Sequence, residues 1–168
     1  MLFGVHTIKA GGPTETDQVT LNIKLHPIQT LIVNSGQKTV DLEYKSKDDY
    51  SSGVSMELSD HLNFYSTGAF DINVKSSGET LNGTEDKIPV IDVTIIATKG
   101  GDGIDATYNT IELSNSDQPL VESGTGGVNK NINVKYEAKG NNEYVNLYRS
   151  EENPTVFTTT VTYSIVAK

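Results

Sequence analysis

Cysteine is absent from the 168 residues, which excludes a disulfide framework, a thiolate metal site and a cysteine nucleophile. Tryptophan is absent too, and this lowers the case for a sugar-binding module, since such modules lean on its broad amphipathic face. Arginine occurs once, at Arg149, so bidentate phosphate or carboxylate recognition has almost nothing to work with. Basic charge is scarce overall. With 13 basic against 22 acidic residues, the formal net charge of -9 repels a nucleic-acid backbone and an anionic membrane surface. No apolar run is long enough to span a bilayer. The leading segment 1–10 lacks the basic start and long apolar stretch of a complete signal peptide. Hydrophobic residues make up only 35%, which implies a thin core and many loops, yet a chain of this length buries about 70% of its unfolded surface without staples.

What is abundant is alternation. Val19, Leu21, Ile23 and Leu25 interleave with Thr20, Asn22 and Lys24 at the period of a strand with one apolar face. Pro27 interrupts the pattern, Ile28 to Val33 resume it, Asn34-Ser35-Gly36 supplies a turn, and Val40, Leu42 and Tyr44 alternate again. Residues 45–53 hold the one plausible helical turn. Short strands are expected at Val54–Leu58, Leu62–Tyr65 and Ala69–Val74, with a polar loop over 76–87. Val90–Ala97 is apolar on both faces and predicts a central strand. Further strands are expected around Ile111 and Leu113, Ile132 to Tyr136, Val145 to Tyr148, and Val156 to Val166. No segment shows helical spacing, and strands recurring roughly every ten residues predict a single all-β sandwich or barrel domain. Residues 1–17 are set apart as an extension or processed segment, and 18–168 as the domain.

The chemistry-bearing residues do not assemble into a catalytic set. Gly53-Val54-Ser55-Met56-Glu57 misses the nucleophile-elbow pattern at its last position, so Ser55 reads as a strand entry. Gly124, Gly126, Gly127 and Lys130 lack phosphate-loop spacing and read as a hairpin loop. His6, His26 and His61 show no paired spacing and read as surface or turn residues. Asp102 and Asp105, on a glycine-rich loop, are candidates for a calcium ion but lack the length and distal Glu of an EF-hand, so no metal or other cofactor is expected. Glu85-Asp86 and Asp48-Asp49 read as solvated loops. The eight tyrosines serve either as strand residues or as an exposed contact surface. An enzyme is not expected.

Two regions together resemble the pilin-like subunits of bacterial surface filaments, whose Ig-like sandwiches assemble by strand exchange, and their relatives among Bacteroidetes-type secreted proteins. Gln18-Val19-Thr20-Leu21-Asn22-Ile23-Lys24-Leu25 looks like the exchanged extension, with Pro27-Ile28 opening the domain; Thr158 to Lys168 looks like the terminal strand, with Val161, Tyr163 and Ile165 on one face. The resemblance implies an Ig-like antiparallel sandwich completed by a neighbour's strand, with Val19, Leu21, Ile23 and Leu25 filling its pockets. It implies an extracellular, cell-surface location and copies of the same chain as partners, with an assembly chaperone and a host or surface receptor as further ones. Residues 1–10 offer a second exchangeable run, through Leu2, Gly4, His6 and Ile8 or through Phe3, Val5 and Thr7. Two other readings compete. Residues 18–25 are the first strand of their own sheet, or the chain is a monomeric carbohydrate- or ligand-binding module with tyrosines and acidic loops at its site.

Overall fold

A computed structural model describes residues 1–6 and 11–168. Most of the alternating segments form ladders. In chain order they are β1 (Gln29–Val33), β2 (Val54–Ser66), β3 (Phe70–Ser76), β4 (Thr80–Asn82), β5 (Lys87–Pro89), β6 (Val93–Lys99), β7 (Thr107–Tyr108), β8 (Thr110–Glu112), β9 (Gln118–Ser123), β10 (Gly127–Ala138) and β11 (Val161–Ala167). One sheet has the order β1-β2-β10-β6-β8 and the other β11-β3-β9-β7, with β4 and β5 forming a separate small hairpin. Every ladder is antiparallel. The architecture is the expected all-β antiparallel sandwich.

Between the sheets lie Leu62, Phe64, Phe70, Ile72, Val74, Ile95, Leu113, Leu120, Val121, Ile132 and Val134, each at most 1% exposed. Phe64 and Phe70 face each other at a centroid distance of 4.6 Å, joining the two sheets across the β2–β3 turn. Burying such side chains contributes about 1.5–3 kcal/mol each, which is where a chain with few apolar residues finds its stability. The register defines two ends. At the base, Ser66 of β2 opposes Gln29 and Gly127, and Ala167 opposes Phe70. At the top, Val54 opposes Ala138, and Val161 opposes Ser76.

The helix expected within 45–53 is present as α1 (Lys47–Ser52), nucleated by a capping box in which Ser46 and Asp49 satisfy each other's backbone N–H groups. The two strands expected at 54–58 and 62–65 are one long strand with a bulge. Leu58 pairs with Val134 and Leu62 with Ile132, so β2 carries two more residues than β10 across that interval. Asp60 takes the turn with φ 50°. Three other expectations are corrected. Val90–Asp92 is a 3-10 turn, so β6 starts later, and it is not apolar-buried on both faces, since Thr94 and Ile96 stay half-buried; as expected it is an interior strand, between β10 and β8. Val145 to Tyr148 form turn and irregular backbone, because Asn141, Asn142 and Asn146 adopt left-handed conformations (φ 54°, 58° and 80°) that no ladder accommodates. The polar stretch 76–87 includes the small strand β4.

Candidate functional site

Residues 11–27 form no strand with any described residue and are exposed throughout. The chain enters the sandwich at Ile28, whose N–H reaches Thr67 Oγ1 at 3.0 Å and whose carbonyl accepts from Thr67 N–H at 3.1 Å, which roots the extension at the base. Beyond that root Val19, Leu21, Ile23 and Leu25 are 90%, 85%, 82% and 89% exposed. Residues 18–25 are therefore not the first strand of their own sheet. Leu2, Phe3 and Val5 of the second run are exposed as well, while its Thr7 and Ile8 lie outside the described residues.

The other expected functional strand, β11, is the edge of its sheet. One side is hydrogen-bonded to β3 from Val161 to Ala167; the other pairs with nothing among the described residues. An open edge is a template for another strand. Val161, Tyr163 and Ile165 point toward the core yet stay only partly buried, as do Leu31, Val33, Val40 and Leu42 on the opposing side. Those last residues belong to β1, which comes alongside β11, and to the segment 38–45 that continues from it. Residues 38–44 keep strand alternation, with Val40, Leu42 and Tyr44 turned inward, but form no backbone ladder with any described residue. The open edge of β11 and the unladdered segment 38–44 thus border a partly buried strip of core. The strip and the extension match in chemistry and in length, since β11 has seven residues and 19–25 is seven residues long.

A polar chain stiffens this edge from behind. His61, expected at the surface, is 2% exposed, because the β2 bulge turns both His61 and Leu62 inward. Its Nδ1 lies 3.0 Å from Gln37 Oε1 and its Nε2 3.0 Å from the Tyr136 hydroxyl, which in turn meets the Tyr163 hydroxyl at 2.5 Å. Gln37 Nε2 donates to Ser59 O, so its Oε1 accepts from Nδ1–H. Nε2 then accepts from Tyr136 O–H, and Tyr136 accepts from Tyr163 O–H. Burial pushes Tyr136 up to about 12 and holds His61 below its ordinary value. Each polar group of this chain of four has a partner, and Tyr163 fixes β11 against the opposite sheet.

At the top a second feature appears that the sequence reading did not single out. An open cleft of about 600 Å³ lies between α1 and the loop after β10, lined by Lys47, Asp48, Tyr50, Ser51, Asn142 and Val145. An adjoining hollow is formed by Tyr50, Tyr144, Val145 and Tyr148. Tyr44 packs at 5.3 Å against both Tyr50 and Tyr144, and its hydroxyl donates to Lys139 O at 2.6 Å. The loop is clamped to α1 by N–H donation from Asn141 and Asn142 to the carbonyls of Ser51 and Tyr50. Gly53 and Gly140 let these backbones touch; a Cβ on Gly140 would sit 2.4 Å from Gly53 N. Only the pairing of Asn-rich turn with nearby tyrosines hinted at this in the sequence.

The remaining candidates are occupied structurally. Ser55 lies exposed at the start of β2. The glycines at 124–127 join β9 to β10, and Gly126 lies so close to Ser66 O that a Cβ would stand 2.2 Å away. Asp102 and Asp105 each pair with a different lysine, Lys130 at 2.9 Å and Lys99 at 2.8 Å, rather than converging. Glu85 and Asp86 both bind Arg149, at 2.6 and 2.7 Å. Asp48 and Asp49 fall in the first turn of α1, where carboxylates favour the helix start. His6 and His26 are exposed. No helix of the described residues is long and apolar enough to cross a membrane. No protein-family model matches the chain, and no curated protein matches it.

Proposed function

We propose that this chain is a structural subunit of an extracellular, cell-surface filament, assembled head to tail by β-strand addition. The observation that carries the reading is the extension with Val19, Leu21, Ile23 and Leu25 held out in water by a domain whose edge strand β11 has one side open among the described residues. Moving four such side chains from water into a neighbour's groove contributes about 6–12 kcal/mol, at about 1.5–3 kcal/mol each. Main-chain bonds to β11 would add directionality, and the alternating side chains would set register. A contact of this kind joins two different surfaces and does not close, so it propagates into a fibre.

The direct test is a denaturing gel of unboiled and boiled protein from its native surface, with electron microscopy of the same sample. A ladder of bands that collapses to one on boiling, together with fibres, is the expected result. A single band without boiling and no fibres would refute the proposal. The second reading is a monomeric carbohydrate- or ligand-binding module, which the tyrosine-lined cleft favours. Under that reading, glycan binding disappears when Tyr50 and Tyr148 are changed to alanine.

A further inference from the structure

The cleft between α1 and the loop at 140–148 faces the wrong way to concern a chain's own extension. The extension leaves at the base, by Ile28 and Thr67, whereas the cleft lies at the top, where β2 begins and β10 ends. The 13 residues of β2 separate the two by about 40 Å. Resting on the strand-addition reading, the polarity of exchange then decides what reaches the cleft. A donor strand antiparallel to β11 runs with residue 19 at the base of the acceptor and residue 25 at its top. Antiparallel pairing is the more stable geometry and the one every ladder of this fold uses. A parallel donor would bring the next domain against the acceptor's base, which the acceptor's own extension already occupies.

Only His26 and Pro27 lie between the donor strand and the root at Ile28. Three virtual bonds reach about 11 Å at full stretch, so the base of one subunit must abut the top of the next. The acceptor wall 38–45 ends at Tyr44, whose ring is the inner support of Tyr50 and Tyr144. We infer that the cleft of one subunit receives the His26–Pro27–Ile28 hinge of the next copy. The chemistry fits. Pro27 and the 53%-exposed Ile28 present apolar surface, and Tyr50, Val145 (49% exposed) and Tyr148 (58% exposed) offer rings and an aliphatic side chain on a loop clamped by Gly53 and Gly140. The cleft is thereby a socket that fixes the angle between successive subunits, in addition to the strand link.

The absence of cysteine gives a clean test. Filaments of a chain carrying both Ile28→Cys and Val145→Cys are oxidised and run without reductant. The expected result is a ladder that survives boiling and collapses on reduction, while either cysteine alone gives none, because the two sites meet only between neighbouring subunits. An unboiled ladder that boiling reduces to monomer despite both cysteines would overturn the socket and leave strand addition standing. No ladder even without boiling would overturn both. Both positions are half exposed, so the cysteines leave the fold intact.

Discussion

Ile23→Asp separates assembly from folding. In the single subunit Ile23 is 82% exposed, so the substitution removes no packing, and surface changes of this kind stay within about 0.5 kcal/mol. In a filament the same position is an inward-facing knob. Losing the isoleucine forfeits about 2 kcal/mol of burial, and placing a carboxylate there costs about 3 kcal/mol or more even after partial neutralisation. A combined loss of about 5 kcal/mol weakens each junction by more than a thousandfold, at about 1.4 kcal/mol per factor of ten. Thermal unfolding of the isolated subunit and the unboiled gel read the two quantities separately. An unchanged melting temperature with complete loss of the ladder is expected. A ladder of normal length would refute the inward register of Ile23. A fall of more than about 5 °C in the subunit itself would show that the residue belongs to its own core.

Two further outcomes concern the fold that presents the edge. His61 is held neutral by burial behind Gln37 and Tyr136, so its folded pKa lies below the unfolded value of about 6.5. The unfolded chain takes up the proton first as pH falls; stability is therefore full above about pH 6.5 and declines below it, toward the depressed folded pKa. The urea midpoint should drop between pH 7 and 5, and a His61→Leu chain, though less stable, should lack that slope; equal slopes would place the sensitivity elsewhere. Gly140→Ala should cost about 1–3 kcal/mol, since its Cβ meets backbone of Ser52 and Gly53 at 2.4 Å, whereas Gly68→Ala, with nothing within 4 Å, should be neutral. Equal urea midpoints for the two alanine variants would show that the close approach of α1 to the loop is not tight.

Period-two alternation made the sandwich legible wherever a strand is regular, as in β3 and β11, because each side chain reports its face directly. It failed at irregularities. The bulge at Asp60 split β2 into two apparent strands and hid the burial of His61, since the two extra residues leave the alternation locally, with Asp60 in left-handed backbone and His61 and Leu62 both turned inward, while the phase is the same on either side. Val145 to Tyr148 read as a strand because β-propensity cannot register that Asn141, Asn142 and Asn146 take left-handed backbone. The exposed run at 18–25 was legible as a pattern but not as an exposure. Alternation says that one face wants covering, not which molecule supplies the cover. The tyrosine cleft was invisible for another reason: Tyr44, Tyr50 and Tyr144 meet only after α1 and the loop beyond β10 are brought to the same end of the sheet.

Under the proposed strand addition, the place where the extension is rooted favours a neighbour's edge over its own. β11 runs from top to base, and Lys168 N–H, just beyond it, is bonded to Ala69 O beside the root of the extension. From Ile28, a strand folding back along its own β11 has residue 25 at the base and residue 19 at the top. It would lie parallel to β11 and require a reversal at His26–Pro27, where proline cannot donate an N–H to the turn. A neighbour's strand meets neither restriction. Moving the donor reverses this logic. A chain without residues 1–25, carrying residues 18–25 again after Lys168 through a four-residue turn, returns from the base antiparallel to β11. It should be a monomer with no ladder, and melt above the same truncated chain lacking the added strand, by about 2–4 °C for each kcal/mol gained. Ile23→Asp within the added strand should abolish the gain. A fusion no more stable than the truncated chain would mean that the strip beside Val161, Tyr163 and Ile165 does not accept this strand, whatever molecule offers it.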